Sequence, residues 1–460
     1  MDVQRIAPRD DDAKYRALVA RDARFDGVFF VGVTTTGIYC RPVCTARTPG
    51  RLRCVFFSRA AEAERDGFRA CFRCRPELAP GTSRVDAVSA LARNAATRIE
   101  AGALNDGSLE DLANELGASA RHVRRALERE LGLSPVQIAQ SARLAIAKQL
   151  LQDGTTSMAD VAYASGFSSV RRFNAAFRER FARSPSSIRR RNVDPDKGLV
   201  RIALGYRAPF AWRPMLEFLE PRATPGVEHV DLDALVYART LRIGSRTGTL
   251  RVSVDESRRV VNVDVSASLS RSLMAIASIS RRAFDLDAQP HAIDAHLSRD
   301  ATLRPFVRAT PGIRVPGGFD AFELAARAVL GQQITVRGAT TLAGRLARTY
   351  GEPVETTSAD LSVIFPSAAR IARSRDLERV GVTPARAEAL RGLAARDLID
   401  ESITSIKGIG PWTAQYVAMR ALRSPDAFPE TDLVLKPAAS RASAWSPWRA
   451  YAAMHLWRNA

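Results

Sequence analysis

Cysteine is scarce in this chain: only five of 460 residues are Cys, and all fall between residues 40 and 74. An odd number confined to one patch excludes a disulfide-stapled secreted scaffold, and a metal is the commoner use of such a cluster. No apolar run approaches the roughly 18 residues of a membrane-crossing helix. The opening Met-Asp-Val-Gln-Arg has no apolar leader stretch. The expected setting is the bacterial cytoplasm, with no membrane partner. Low-complexity segments are missing too. Acidic residues are in deficit, 49 against 68 Lys and Arg, for a formal charge of +19. This excess is not a tail, since 33 basic and 23 acidic residues precede position 200 and 35 and 26 follow it. Basic character in both halves points to a polyanion as the partner of each. A hydrophobic content of 46% is ordinary for packed domains and excludes general disorder.

Patterning divides the chain. Residues 1–82 hold every Cys. Residues 84–192 have helical periodicity, with no Pro between Pro80 and Pro135. Asn192-Val-Asp-Pro-Asp-Lys-Gly198 has the composition of a linker. From 199 to about 270 apolar and polar residues alternate, as in Leu250-Arg-Val-Ser-Val-Asp, which predicts an antiparallel sheet. From about 271 helical periodicity returns and runs to the end, and the expected domains are a sheet domain at 199–300 and a helical domain at 301–460. The fold class expected is multidomain: a small α/β zinc domain, an all-α double helix-turn-helix, and an α+β region of antiparallel sheet plus an all-α domain.

Cys40-x3-Cys44 and Cys71-x2-Cys74 are two pairs that could grip one tetrahedral Zn²⁺ from two chain segments. Spacing alone is equally served by a purely structural zinc staple. Cys54 breaks the pattern and reads as a small buried hydrophobe. The strings Thr35-Thr-Gly-Ile-Tyr-Cys-Arg-Pro-Val-Cys44 and Gly67-Phe-Arg-Ala-Cys-Phe-Arg-Cys74 resemble the N-terminal domain of the Ada family. The resemblance implies that Cys40 is both zinc ligand and methyl acceptor, taking a methyl group from a methyl phosphotriester in DNA. It also implies that the flanking arginines, Arg47 and Arg69 among them, meet DNA.

Ser108-Leu-Glu-Asp-Leu-Ala-Asn-Glu-Leu-Gly117 and Ser157-Met-Ala-Asp-Val-Ala-Tyr-Ala-Ser-Gly166 repeat at an offset of 49. Each opens like a capping box and closes on a Gly suited to positive φ. Val123, Leu127 and Leu131 match Phe173, Phe177 and Phe181 as one apolar stripe. The units read as two helix-turn-helix motifs, ended by Ser134-Pro135 and Ser184-Pro185 and joined by a helix at 141–151. The pair is similar to the AraC-type DNA-binding domain. Arg121, Arg124, Arg125, Arg171, Arg172 and Asn174 are then the candidates for major-groove and phosphate contacts.

Ile406-Lys-Gly-Ile-Gly-Pro-Trp-Thr-Ala reads as helix, Gly-x-Gly hairpin, helix, with Gly408 and Gly410 letting backbone N–H groups approach a phosphate. Together with Asp432 downstream, it resembles the helix-hairpin-helix DNA glycosylases. Pro316-Gly-Gly-Phe-Asp-Ala-Phe-Glu, Leu330-Gly-Gln-Gln-Ile-Thr-Val and Pro447-Trp-Arg-Ala-Tyr-Ala-Ala-Met-His-Leu-Trp457 resemble the AlkA family of 3-methyladenine DNA glycosylases. The resemblance implies that Asp432 stabilises the cationic sugar, that Trp412, Tyr416 and Trp457 form the base pocket, and that Gln333 stands at the wedge position. Trp412 replaces the amine Lys of strand-cleaving relatives, which implies a monofunctional enzyme. The Pro-Cys-His-Arg signature of the second Ada methyltransferase domain is missing.

Taken together, these readings give a methyl acceptor, a DNA-binding activator and an alkylated-base glycosylase in one chain, with one Zn²⁺, double-stranded DNA and RNA polymerase as partners, acting as a monomer. The alternative is a methylation-responsive regulator whose glycosylase half is inactive, for which the shortened stretches at 393–406 and 436–447 speak.

Overall fold

The alternating apolar residues of Phe30–Val33 and Cys54–Phe57 pair antiparallel, with Val31 opposite Phe56. Phe30–Val33 also pairs antiparallel with Ile38–Cys40, which pairs parallel with Arg69–Ala70. The helices Asp11–Val19 and Ala60–Arg65 lie against this four-stranded sheet. The coordinates form a computed structural model that describes residues 10–81, 90–153, 157–189, 199–396 and 399–460. The expected linker at 192–198 lies outside them. The chain forms two units, one from Met1–Arg207 and Asp255–Ile279, the other from Ala208–Val254 and Ser280–Ala460.

In the first unit the two helix-turn-helix motifs are Leu109–Glu115 with Ala120–Leu131 and Met158–Ala164 with Val170–Phe181. Ser108 and Asp111 make a reciprocal capping box, and Ser157 accepts the N–H of Asp160. Gly117 and Gly166 take φ of +64° and +83°, where a side chain would be strained. Both triads of the apolar stripe are buried. Both Ser-Pro boundaries differ from expectation: Ser184-Pro185 opens the short helix Pro185–Ile188. Ser134-Pro135 opens the joining helix, Pro135–Asp153, rather than closing the first motif. Ser134 donates its N–H to Gln137 Oε1 at 2.8 Å and accepts from Gln137 N at 3.3 Å. Proline at the first helical position gives up no intrahelical bond. The unit also holds Leu199–Gly205 antiparallel to Val260–Ser266, with Ile202 opposite Val263. A Cβ on Gly205 would sit 1.8 Å from Leu78 O, so only glycine permits that approach.

The second unit contains the meander Glu228–Asp231, Val236–Ile243, Arg246–Asp255. Within the stretch read as strand lies a helix, Trp212–Leu219. It buries Trp212, Met215, Leu216 and Leu219, a helical spacing masked in sequence by the alternating segments around it. The helical part packs Ala321–Leu330, Val336–Tyr350 and Pro384–Ala394 around Val329, Leu346, Leu390 and Val417. The element before the hairpin is not an α-helix but a 3-10 turn, Glu401–Ser405, leading to Pro411–Arg420. The short stretch after Asp432 is a 3-10 run, Lys436–Trp445. Trp445 anchors it, buried edge-on against Phe428 at 5.8 Å and donating to Asp300 Oδ2 at 3.0 Å. Among the described residues no helix is long and apolar enough to cross a membrane.

Candidate functional site

Parallel pairing of Ile38 with Arg69 and Tyr39 with Ala70 brings the two Cys segments side by side. The Cys71 N–H donates to Tyr39 O at 3.0 Å and fixes that register. The ligand atoms of Cys40, Cys44, Cys71 and Cys74 all lie within 4.8 Å of one another. A tetrahedral Zn²⁺ with Zn–S near 2.3 Å needs sulfurs about 3.8 Å apart, and four thiolates this close repel one another unless a cation lies between them. The donor set therefore fits one Zn²⁺. Cys54 stands apart on its strand, its Sγ 3.4 Å from Gly50 O.

The sulfur cluster is tied to the helix-turn-helix region by two buried polar links. Lys148, on the joining helix and 1% exposed, donates to Cys71 O at 3.1 Å and to Glu77 Oε2 at 2.8 Å. Tyr39, next to Cys40, donates to Glu64 Oε1 at 2.9 Å, and Glu64 pairs with Arg180 of the helix Val170–Phe181 at 3.0 Å. Arg121, Arg124, Arg125, Arg171 and Arg172 are exposed on the second helices of the two motifs, while Asn174 is half-buried. Arg47 is exposed and Arg69 half-buried.

In the second unit, Trp412 and Tyr416 are one helical turn apart on Pro411–Arg420 and stack at 5.1 Å and 14°. Tyr416 and Trp457 meet at 6.1 Å. Trp412 Nε1 donates to Asp432 Oδ2 at 3.0 Å, and Trp457 Nε1 donates to Asp432 Oδ1 at 3.0 Å. Val434 N also donates to Oδ1, at 3.0 Å. Both carboxylate oxygens are thus held by donors, as an acceptor-only anion requires. The four side chains line a cavity of about 240 Å³.

Sequence reasoning missed the cationic part of that wall. Arg420 is buried, stacks over Phe218 and Tyr416, and donates to the Tyr416 hydroxyl at 2.5 Å. Arg222 covers the other contact of Phe218, at 4.0 Å. Burial raises the Tyr416 phenol, but the nearby Arg420 and Arg222 charges outweigh it and hold its pKa below the ordinary value. The signal was present: Trp412, Tyr416 and Arg420 recur at i, i+4, i+8 on one helix face. Gln333 is exposed and outside the cavity lining, whereas its neighbours Gly331 and Ile334 line it. Gly408 takes φ +90°; Gly410 caps the helix in extended backbone with open space around it.

Three family profiles match the chain: the metal binding domain of Ada over residues 13–77, a helix-turn-helix domain over 112–191, and the AlkA N-terminal domain over 201–320. The chain is 37% identical to a Mycobacterium tuberculosis protein described as a probable bifunctional transcriptional activator/DNA repair enzyme AlkA, across 97% of this chain and 96% of that protein. It is 33% identical to DNA-3-methyladenine glycosylase 2 of Escherichia coli, across 55% of this chain and 95% of that one. With the bifunctional transcriptional activator/DNA repair enzyme Ada of Escherichia coli it shares 32% identity, across 35% of this chain and 45% of that protein.

Proposed function

The chain belongs to the AlkA-type family of bifunctional transcriptional activators and DNA repair enzymes, and from that membership we propose how its own residues divide the work. It is a DNA-binding protein that answers alkylation damage twice, as a zinc-dependent methyl acceptor and as a 3-methyladenine-type DNA glycosylase. The observation that carries the enzymatic reading is the Asp432 carboxylate held between the indoles of Trp412 and Trp457 at the cavity wall.

A damaged base must leave the duplex stack to reach that cavity. Trp412, Tyr416 and Trp457 supply aromatic surface for it. As the glycosidic bond lengthens, the base takes the bonding electron pair and positive charge grows on the sugar. Asp432, pre-oriented by its three donors, offers the fixed negative charge that stabilises this state. Water then bonds to the sugar carbon and gives up a proton. Among the described residues no amine lines the pocket: Trp412 fills the position where strand-cleaving relatives carry Lys, and Lys407 is exposed beside Glu388. The product is an abasic site in an uncut strand.

At the other end, Cys40, Cys44, Cys71 and Cys74 hold the metal, which keeps its thiolates deprotonated at neutral pH when bound. Cys40 Sγ attacks the methyl carbon of a phosphotriester; the S–C bond forms as the C–O bond breaks, and the electron pair stays on the phosphodiester. The thioether has one negative charge fewer, which weakens repulsion from DNA and favours promoter binding by the exposed arginines of the two motifs. Activation brings RNA polymerase as the further partner, and a monomer suffices because one chain carries every site. The test is release of hypoxanthine or 3-methyladenine from a duplex, followed by hot alkali to cut the abasic product. Absence of cut strand would overturn the enzymatic reading.

A further inference from the structure

Residues 331–335 join the helices Ala321–Leu330 and Val336–Tyr350 at the edge of the cavity. Beyond the cap at Gly331, whose N–H donates to Arg327 O at 3.0 Å, this loop has only long backbone bonds of its own: Gln332 N reaches Val329 O at 3.3 Å, and Ile334 N reaches Gly331 O at 3.5 Å. The side chain of Gln332 ties it to the hairpin. The amide nitrogen donates to Gly408 O at 2.9 Å and to Thr413 Oγ1 at 2.9 Å, which uses both of its N–H bonds. Gly408 is the hairpin glycine at φ +90°, and Thr413, 2% exposed, lies in the first turn of the helix carrying Trp412. Arg386 donates to the Gln332 backbone carbonyl from the opposite side. The next residue, Gln333, stands exposed at φ +56°, a conformation that costs a non-glycine residue on the order of 1 kcal/mol and persists only where its surroundings impose it.

We propose that Gln332 is a positioning residue that locks the 331–335 loop to the hairpin. The grip on the phosphate backbone through Gly408 and Gly410 and the entry of Gln333 and Ile334 into the duplex then act as one rigid movement. The inference rests on the glycosylase reading. Without the tie, the pocket and Asp432 stay in place, but holding a base out of the stack loses its support. A lesion with no pairing to break loses little.

The experiment measures single-turnover excision of hypoxanthine by the full-length zinc-loaded protein. One duplex places hypoxanthine opposite thymine; the other places it opposite an abasic analogue. Gln332→Ala is expected to slow excision at least tenfold on the first and less than threefold on the second, with affinity for undamaged duplex within twofold of the parent. Thr413→Val, which removes one acceptor, should show the same split to a smaller degree, and Thr413→Ser should restore the parent rate. An equal loss on both duplexes, or none on either, overturns the positioning role. If the parent itself releases no base from either duplex, the glycosylase reading fails rather than this one.

Discussion

Trp457 donates its indole N–H to Asp432 Oδ1 at 3.0 Å, so the last helix of the chain aims the carboxylate that the stretch after the hairpin supplies. Asp432→Asn keeps the shape and removes the charge. Its excision rate should fall about 10²–10³-fold or more, with duplex affinity unchanged within a few-fold. A rate within a few-fold of the parent would reduce Asp432 to a turn cap through its bond from Val434 N.

Metal analysis should find one zinc per chain, retained in Cys54→Ala and lost when Cys44 or Cys71 is replaced, because the Cys54 Sγ faces Gly50 O and not the cluster. Mass spectrometry after incubation with methylated DNA should place a single methyl group on Cys40. A methyl found on another Cys would refute the acceptor assignment.

Lys148 and Glu77 are 1% and 3% exposed at 2.8 Å. Lys148→Met leaves Glu77 still paired with Arg75, at 3.0 Å, so the loss should fall at the low end for a broken buried pair, about 3 kcal/mol. Chemical denaturation of the zinc-loaded protein measures it. A change below about 1 kcal/mol would show that the link between the zinc and helix-turn-helix regions carries little stability.

His455 is fully buried and, among the described residues, neither ring nitrogen has a hydrogen-bond partner; burial followed by the Arg458 charge lowers its pKa to about 4. In the unfolded chain it titrates near 6.5. Between those values the unfolded state binds the extra proton, so stability falls as pH drops from about 6.5 to 4 and is flat above, a total of about 3 kcal/mol. His455→Leu should remove that slope from the pH dependence of denaturation; an unaltered slope would assign it to other groups.

Gly408 and Gly410 should separate on substitution. Gly410→Ala finds open space at ordinary φ, so it should fold normally while weakening binding to damaged and undamaged duplex alike. Gly408→Ala meets its positive φ and should cost about 1–2 kcal/mol in stability as well. Tighter binding to undamaged DNA by Gly410→Ala would remove the phosphate role.

What the sequence determined alone were features written in short spacing: two Cys pairs, two capped helix-turn-helix units with triads on one stripe, and a Gly-x-Gly turn. Local geometry fixes these, since a cap or a glycine φ depends on a few neighbours. The sequence also carried the helix Trp212–Leu219 and the Trp412, Tyr416, Arg420 face, but alternating segments and hairpin chemistry hid them. Only the tertiary structure decided which distant groups share a space. It closed the Asp432 carboxylate between Trp412 and Trp457, laid Arg420 and Arg222 against the pocket aromatics, and set Gln332 on the hairpin. Such contacts join residues far apart in sequence, and their geometry follows from how buried helices pack rather than from any local period.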